Sequence, residues 1–362
     1  MSVLTSRPVL RWVIPATAAA AVIGGGAAVA TVAGAADPTL PERSAAQLLV
    51  DLQTARLDGL SGTVVQRADL GLPPIANLAG LAGDDNLASL VDGQHTLRVW
   101  YAGPDKARVS LVGSDAQTDV IRNGSDAWVW SSRARTATHA KLSDGEAGEH
   151  PTPPTGFPAT PQEAADLALK AIEPSTRVTV GRSARIAGRD AYELVLSPRD
   201  TASLVGQISV AIDAEEKVPL RVRVYPKGTD APAFEAAFTM VSFARPDDAQ
   251  FTFNPPPGTT VTEADPDDAP RDRAPAKPSG VTKPTIVGSG WTAVAVATIG
   301  QPSGGEAPDF RALLGQLPEV SGAWGKGHLF TSRLANVLLT DDGRVIAGLV
   351  SPERLYEVAA QS

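Results

Sequence analysis

The sequence predicts an α+β fold: a long antiparallel sheet curved into a half-barrel with helices in its concave face, followed by a small C-terminal α+β domain. Three observations carry this. Between Gln207 and Thr262 the runs Ile208, Val210, Ile212, then Leu220, Val222, Val224, then Phe234, Ala236, Phe238, Met240 alternate with other residues, and period two gives each strand one apolar face. Polar turns at Asp213 to Lys217 and Pro226 to Asp230 join these runs into a meander. More short alternating runs lie upstream with brief connections, and helical patterns precede the first strand and recur in mid-chain, which favours one curved sheet with helices on its inner side.

The elements follow in order. Arg7 and Arg11 precede an uncharged run from Trp12 to Ala36 that ends in Ala33-Gly34-Ala35-Ala36. Basic, apolar, then small is the order of an export signal. Residues 1–36 are therefore read as a signal peptide or signal anchor: cleavage near Ala35 or Ala36 gives a secreted protein, whereas retention leaves a membrane anchor. Pro41 suits a first helical turn, and Leu48, Leu49 and Leu52 recur at helical spacing before Gly59 and Gly62. A strand follows at Gly62 to Arg67.

Residues 68–93 thread Leu70, Leu72, Ile75, Leu78, Leu81 and Leu87 through prolines and glycines. Such an apolar insertion packs across the sheet, as a core plug or as a lid over a cavity. Leu97, Val99 and Tyr101 then alternate, Gly103-Pro104-Asp105-Lys106 turns, and Val109 and Leu111 return. Asp119 to Ile121 and Ala127 to Trp130 flank Asn123-Gly124, a strong hairpin signal. Thr160-Pro161-Gln162-Glu163 opens a helix through Ala171 with a capping box. Val178 to Ile186 and Tyr192 to Leu196 add two strands, the meander follows, and Pro255-Pro256-Pro257 stops the sheet because proline donates nothing to a ladder.

The first domain spans 37–262. Residues 263–286 mix Asp, Arg, Pro and Lys with little apolar content and read as a disordered linker. Residues 287–362 form the small second domain: a strand from Trp291 to Ile299, a helix carrying Phe310, Leu313, Leu314 and Leu317, three more strands, and a last helix after Ser351-Pro352-Glu353.

The chain of 362 residues is 43% hydrophobic, carries a net charge of −8 and contains no cysteine. Nucleic acid is excluded as a partner by the acidic balance and the lack of a basic stripe. Disulfides, thiolate metal sites and a lipidated N-terminal cysteine are excluded with the cysteines. No nucleophile elbow, phosphate loop or dinucleotide fingerprint occurs. The histidines, His95, His139, His150 and His328, have no metal-ligand spacing and read as surface residues. Trp100, Trp128 and Trp130 read as sheet core, with groove lining as the alternative. The chain is read as no enzyme, with no cofactor and no metal.

Several segments in order resemble the LolA-like outer-membrane lipoprotein carriers and their relatives, including the MucB/RseB regulators and mycobacterial glycolipid-carrying lipoproteins. They are Ser61-Gly62-Thr63-Val64-Val65, Gly103-Pro104-Asp105-Lys106-Ala107-Arg108-Val109, Ile121 to Trp130, Ala191 to Leu196, Val218 to Val222, and Phe251 to Gly258. Gly348 to Ala359 is similar, over a short stretch, to the end of the MucB/RseB C-terminal domain. The resemblance implies an unclosed half-barrel that binds lipid or acylated ligands without covalent chemistry. Lipoprotein carriers often have Arg-Pro after the second strand where this chain has Gly103-Pro104, which leaves a latch built on that arginine without its residue here.

The expected function is extracytoplasmic: carriage or presentation of a lipid or lipoprotein acyl chain in the cell envelope. The alternative is an RseB-like regulator whose partner is a membrane protein, an anti-sigma factor or a transporter. Groove candidates are Leu70, Leu72, Ile75 and Leu78, with Leu97, Val99, Val109, Leu111, Ile208, Val210, Leu220, Val222, Phe234 and Phe238 on strands. Alternation fixes parity within each run but not which face lines a cavity.

Overall fold

The computed structural model describes residues 38–72, 93–113, 116–142, 174–264, 284–298 and 315–361. The chain enters through α1 (Ala45–Thr54) and then builds β1 (Leu60–Ala68), β2 (Gly93–Tyr101), β3 (Lys106–Val112), β4 (Gln117–Asn123), β5 (Asp126–Ser131) and β6 (Thr136–Lys141). These six pair consecutively and antiparallel. After β7 (Thr176–Val180) and β8 (Ala184–Ile186), a second meander runs through β9 (Arg189–Pro198), β10 (Val205–Asp213), β11 (Pro219–Pro226) and β12 (Phe234–Ser242). β12 pairs with β1, so the two meanders join at the first strand of the chain. With β13 (Thr260–Glu263) beside β6 the result is a 13-stranded open sheet whose path ends at β13 and β7. Register shifts at Thr63/Val64 in β1 and at two points between β10 and β11 bend it, since a bulge sharpens local twist.

Residues 284–298 and 315–361 form a six-stranded sheet from β14 (Thr285–Val287), β15 (Val294–Thr298), β16 (Glu319–Gly322), β17 (Gly325–Thr331), β18 (Asn336–Thr340) and β19 (Arg344–Gly348), with α2 (Pro352–Gln361) packed on β18 and β19. Leu338, Ile346, Leu355 and Val358 are fully buried between helix and sheet. Arg344 Nη1 donates to the Ala359 carbonyl at 2.8 Å, which satisfies an end of α2 that has no intrahelical partner. The two sheets also touch. Leu204 N–H donates to the Leu349 carbonyl at 2.8 Å, and Arg333 N–H to the Leu70 carbonyl at 2.7 Å. Arg333 Nη1 pairs with Asp69 at 2.6 Å, and Trp291 Nε1 donates to Thr176 Oγ1 at 2.7 Å.

Four sequence expectations are corrected. α1 begins after Ser44, not at Pro41, because Ser44 and Gln47 close a capping box on each other's backbone N–H. The stretch Val178 to Ile186 is two strands: Gly181 N–H still bonds the Glu193 carbonyl, but the chain leaves β9 at residues 181–183. Trp291 sits in a 3₁₀ turn, Gly290–Thr292, rather than a strand. The three prolines do not end the sheet. A turn through Gly258, whose φ of 82° suits glycine, brings the chain back as β13, parallel to β6. The predicted helices at 160–171 and 310–317, apart from the buried Leu317, and the insertion from residue 73 lie outside the described residues, as does the N-terminal segment 1–37. Among the described residues no helix is long and apolar enough to cross a membrane.

Candidate functional site

The first sheet carries a polar-aromatic face and an apolar face across β1 to β6, fixed by register. Residues directly opposite one another share a face. One face holds Arg98, Ser110, Asp119, Trp130 and Ala137 in one row, and Trp100, Arg108, Ile121, Trp128 and His139 in the next. The other holds Gly62, Val99, Val109, Val120 and Val129 in one row, with Val64, Leu97 and Leu111 beside it.

The polar-aromatic face is covered. Residues 248–253 cross it as a strap: the 3₁₀ turn Asp248–Phe251 packs on β3 and β4, Phe251 is buried, and the Phe253 ring lies 5.2 Å from Trp128 and 6.1 Å from Trp130. Lys106 pairs with Asp248 at 2.7 Å, and Arg108 donates to the Gln250 carbonyl at 3.2 Å. Under the strap Arg108 also pairs with the fully buried Asp119, so the charge beneath it is matched. Beyond the strap, β13 is fastened at His139. Its Nδ1 lies 2.7 Å from a Glu263 oxygen, its Nε2 lies 2.7 Å from Asp126, and its ring stacks on Trp128 at 4.2 Å. Hydrogen bonds from Lys141 and, second, from His139 hold the Asp126 carboxyl below the ordinary carboxylate range. His139 is thus a structural tie rather than the surface residue its sequence context suggested.

Among the described residues, the apolar face is open at one end. Val99 is 2% exposed, but Val120 and Val129, in the same row, are 39% and 43% exposed. The apolar face is thus buried over β1 to β3 and meets solvent at its β4 and β5 end, while Trp128 and Trp130 on the other face are half-buried under the strap. Gly62 starts the row because a Cβ there would stand 2.4 Å from the Met240 carbonyl and 2.9 Å from the Phe238 ring. That ring therefore lies across β1 and continues the apolar surface toward β12.

Of the sequence candidates, Leu97, Val99, Leu111, Leu220 and Phe238 are buried in one cluster, with Val109 packed against it. Val210 belongs to a second cluster under α1, around Leu48, Leu49, Tyr192, Leu194 and Ile212. Ile208, Val222 and Phe234 are half-buried, as are Leu70 and Leu72. Ile75 and Leu78 lie outside the described residues. Val120 and Val129 were missed, although their alternation with Asp119, Ile121, Trp128 and Trp130 already placed them on one face.

A separate shallow cleft of about 540 Å³ lies between the approach to α1 and the free edge of the sheet, lined by residues 40–44 and by Val180, Gly181, Ser183 and Tyr192. Its walls are held by Tyr192 Oη donating to the Pro41 carbonyl at 2.9 Å and Ser183 Oγ to the Pro38 carbonyl at 2.6 Å. Among the described residues no cluster of histidine and carboxylate side chains is arranged to hold a metal ion.

No protein-family model matches this chain, and no curated protein does. Its structure is similar to that of MucB in a MucA/MucB complex from Pseudomonas aeruginosa, at 16% identity and a TM-score of 0.43, over 87% of this chain and 96% of that one. A second structure, a crystal structure of MucB, aligns at 16% identity and a TM-score of 0.41 over 86% of this chain and 94% of that one. A LolA superfamily protein from Nitrosomonas europaea aligns at 14% identity and a TM-score of 0.22, over 59% of this chain and 99% of that protein. The chain is similar, at low identity, to MucB and to a LolA-superfamily protein.

Proposed function

We propose that this chain is an exported, non-enzymatic envelope protein that holds an acyl chain of a lipid or lipoprotein against the valine row of its first sheet, for carriage or presentation. On this reading the sheet is a LolA-like half-barrel with helices on its concave side, and residues 287–362 are a small α+β domain. Residues 1–36 either tether the protein or are removed. The observation that supports it is the exposed pair Val120 and Val129, which extends the buried cluster of Leu97, Val99 and Leu111 outward along one face. A saturated chain laid along that row needs no charge from the protein. Each methylene withdrawn from water stabilises by about 0.8 kcal/mol, so roughly ten contribute about 8 kcal/mol, enough to offset much of the cost of leaving a bilayer.

Native mass spectrometry with lipid extraction, on protein purified from the host envelope without detergent, tests this. Near-stoichiometric co-purifying lipid is expected. A protein that emerges empty overturns the acyl-binding reading and leaves the regulator of a membrane protein as the better one.

A further inference from the structure

The edge strand β7 supports a second binding activity, for peptide rather than lipid. Gly181 N–H donates to the Glu193 carbonyl at 2.7 Å, and Arg199 N–H to the Ser175 carbonyl at 2.9 Å. In this antiparallel register the alternate residues 175, 177, 179 and 181 spend their backbone groups on β9. The N–H and C=O groups of Val178 and Val180 therefore point away from the sheet, and among the described residues no strand lies beyond them in the sheet order. One end of this edge is closed by the second sheet, where Trp291 bonds the Thr176 side chain. The other end opens into the cleft lined by Leu40, Pro41, Val180 and Tyr192. Val180 is 39% exposed there.

Charge selects the occupant. Arg177 and Arg182 flank the open backbone, both are exposed, and among the described residues neither is engaged by a carboxylate. Arg185, further on, is already paired with Asp190. On the cleft wall Arg43 is taken by Asp51, and Glu42 is the acid present. A second copy of this edge would bring guanidinium against guanidinium, whereas an acidic strand would be drawn in.

We propose that β7 accepts an extended acidic peptide of a partner protein as an added strand. The peptide backbone bonds Val178 and Val180, an apolar side chain enters the cleft beside Val180 and Tyr192, and neighbouring carboxylates meet Arg177 and Arg182.

The test uses the full-length protein and two fluorescein-labelled eight-residue peptides, one alternating Glu with Val and the other Lys with Val. Fluorescence anisotropy is expected to show the acidic peptide binding at least tenfold tighter, with the preference reversed in Arg177→Glu/Arg182→Glu. Val178→Pro, which deletes an outward N–H and leaves the β9 ladder intact, is expected to weaken binding at least tenfold. Amide exchange should slow at Val178 and Val180 when the acidic peptide is present. Equal affinity for the two peptides, binding unaffected by charge reversal, or unchanged exchange at those two amides overturns the proposal. Concentration-dependent dimerisation through this edge overturns it too, because the occupant would then be a second copy.

Discussion

At the scale of single residues, the exposed valines and one buried carboxylate make the sharpest claims. Val129→Asp places a charge on the open end of the apolar row, where it costs the fold little because the side chain already meets water. Co-purified lipid is expected to fall at least tenfold by native mass spectrometry, with an unchanged circular dichroism spectrum; full lipid occupancy in this variant would remove Val129 from the site. Asp213 is 0% exposed. It accepts from Arg189 with both oxygens, and from the N–H groups of Glu215 and Glu216 at 2.9 and 2.8 Å. Burial is the largest single influence and pushes its carboxyl up, but Arg189 and the two backbone donors together hold it below the ordinary range. Asp213→Asn should therefore lower the unfolding free energy by about 3 kcal/mol in urea titrations, as for a broken buried pair. A depressed carboxylate stabilises above its unfolded value near pH 3.9 and loses that contribution as pH falls through the folded one. The gap between wild type and variant should thus close in acid below about pH 4. That Val120 and Val129 share a face was legible in the alternation around Asn123-Gly124. That their face is the open one was not, because the covering of the opposite face comes from Asp248 to Phe253, far along the chain.

At the scale of elements, the strap and β13 act as one device. Phe251 is buried against β3 and β4, and His139 fastens the strand that follows. Phe251→Ala removes the anchor at a cost of about 3–5 kcal/mol. Amide exchange at Thr260 and Ala264, which donate to the Arg135 and His139 carbonyls at 2.8 and 2.6 Å, should speed up before exchange in β1 does; unchanged rates there would mean that β13 holds without the strap. The strands of the two meanders were legible because Leu97, Val99, Val109, Leu111, Ile208 and Val210 alternate with residues of the opposite face. β6 and β13 were not. Thr136 to Lys141 has no large apolar side chain to mark a period, and Thr260 to Glu263 pairs in parallel with a strand more than a hundred residues earlier, a choice that no local pattern encodes.

At the scale of the whole molecule, the two sheets keep separate apolar cores and meet largely through hydrogen bonds at Leu204, Arg333 and Trp291. Deleting residues 284–362 is therefore expected to leave lipid bound, since the valine row and its cluster lie wholly in the first sheet. Loss of lipid from a truncated protein that keeps its secondary structure would assign part of the acyl site to the second sheet. β1 has a further consequence, in time rather than in space. It is the first of the described strands to leave the ribosome, yet it lies mid-sheet and waits for β12 to cover one of its edges, Ser61 opposite Ser242. Until residue 242 is delivered, the meander from β1 to β6 stands with the apolar strand β1 unpaired along one side, the kind of edge on which unfinished chains associate. Sheet closure is the slow step of such a topology, because the pairing is so distant along the chain. The two meanders are thus joined at the centre of the sheet, late, and a chain halted anywhere before β12 would be sticky rather than merely incomplete.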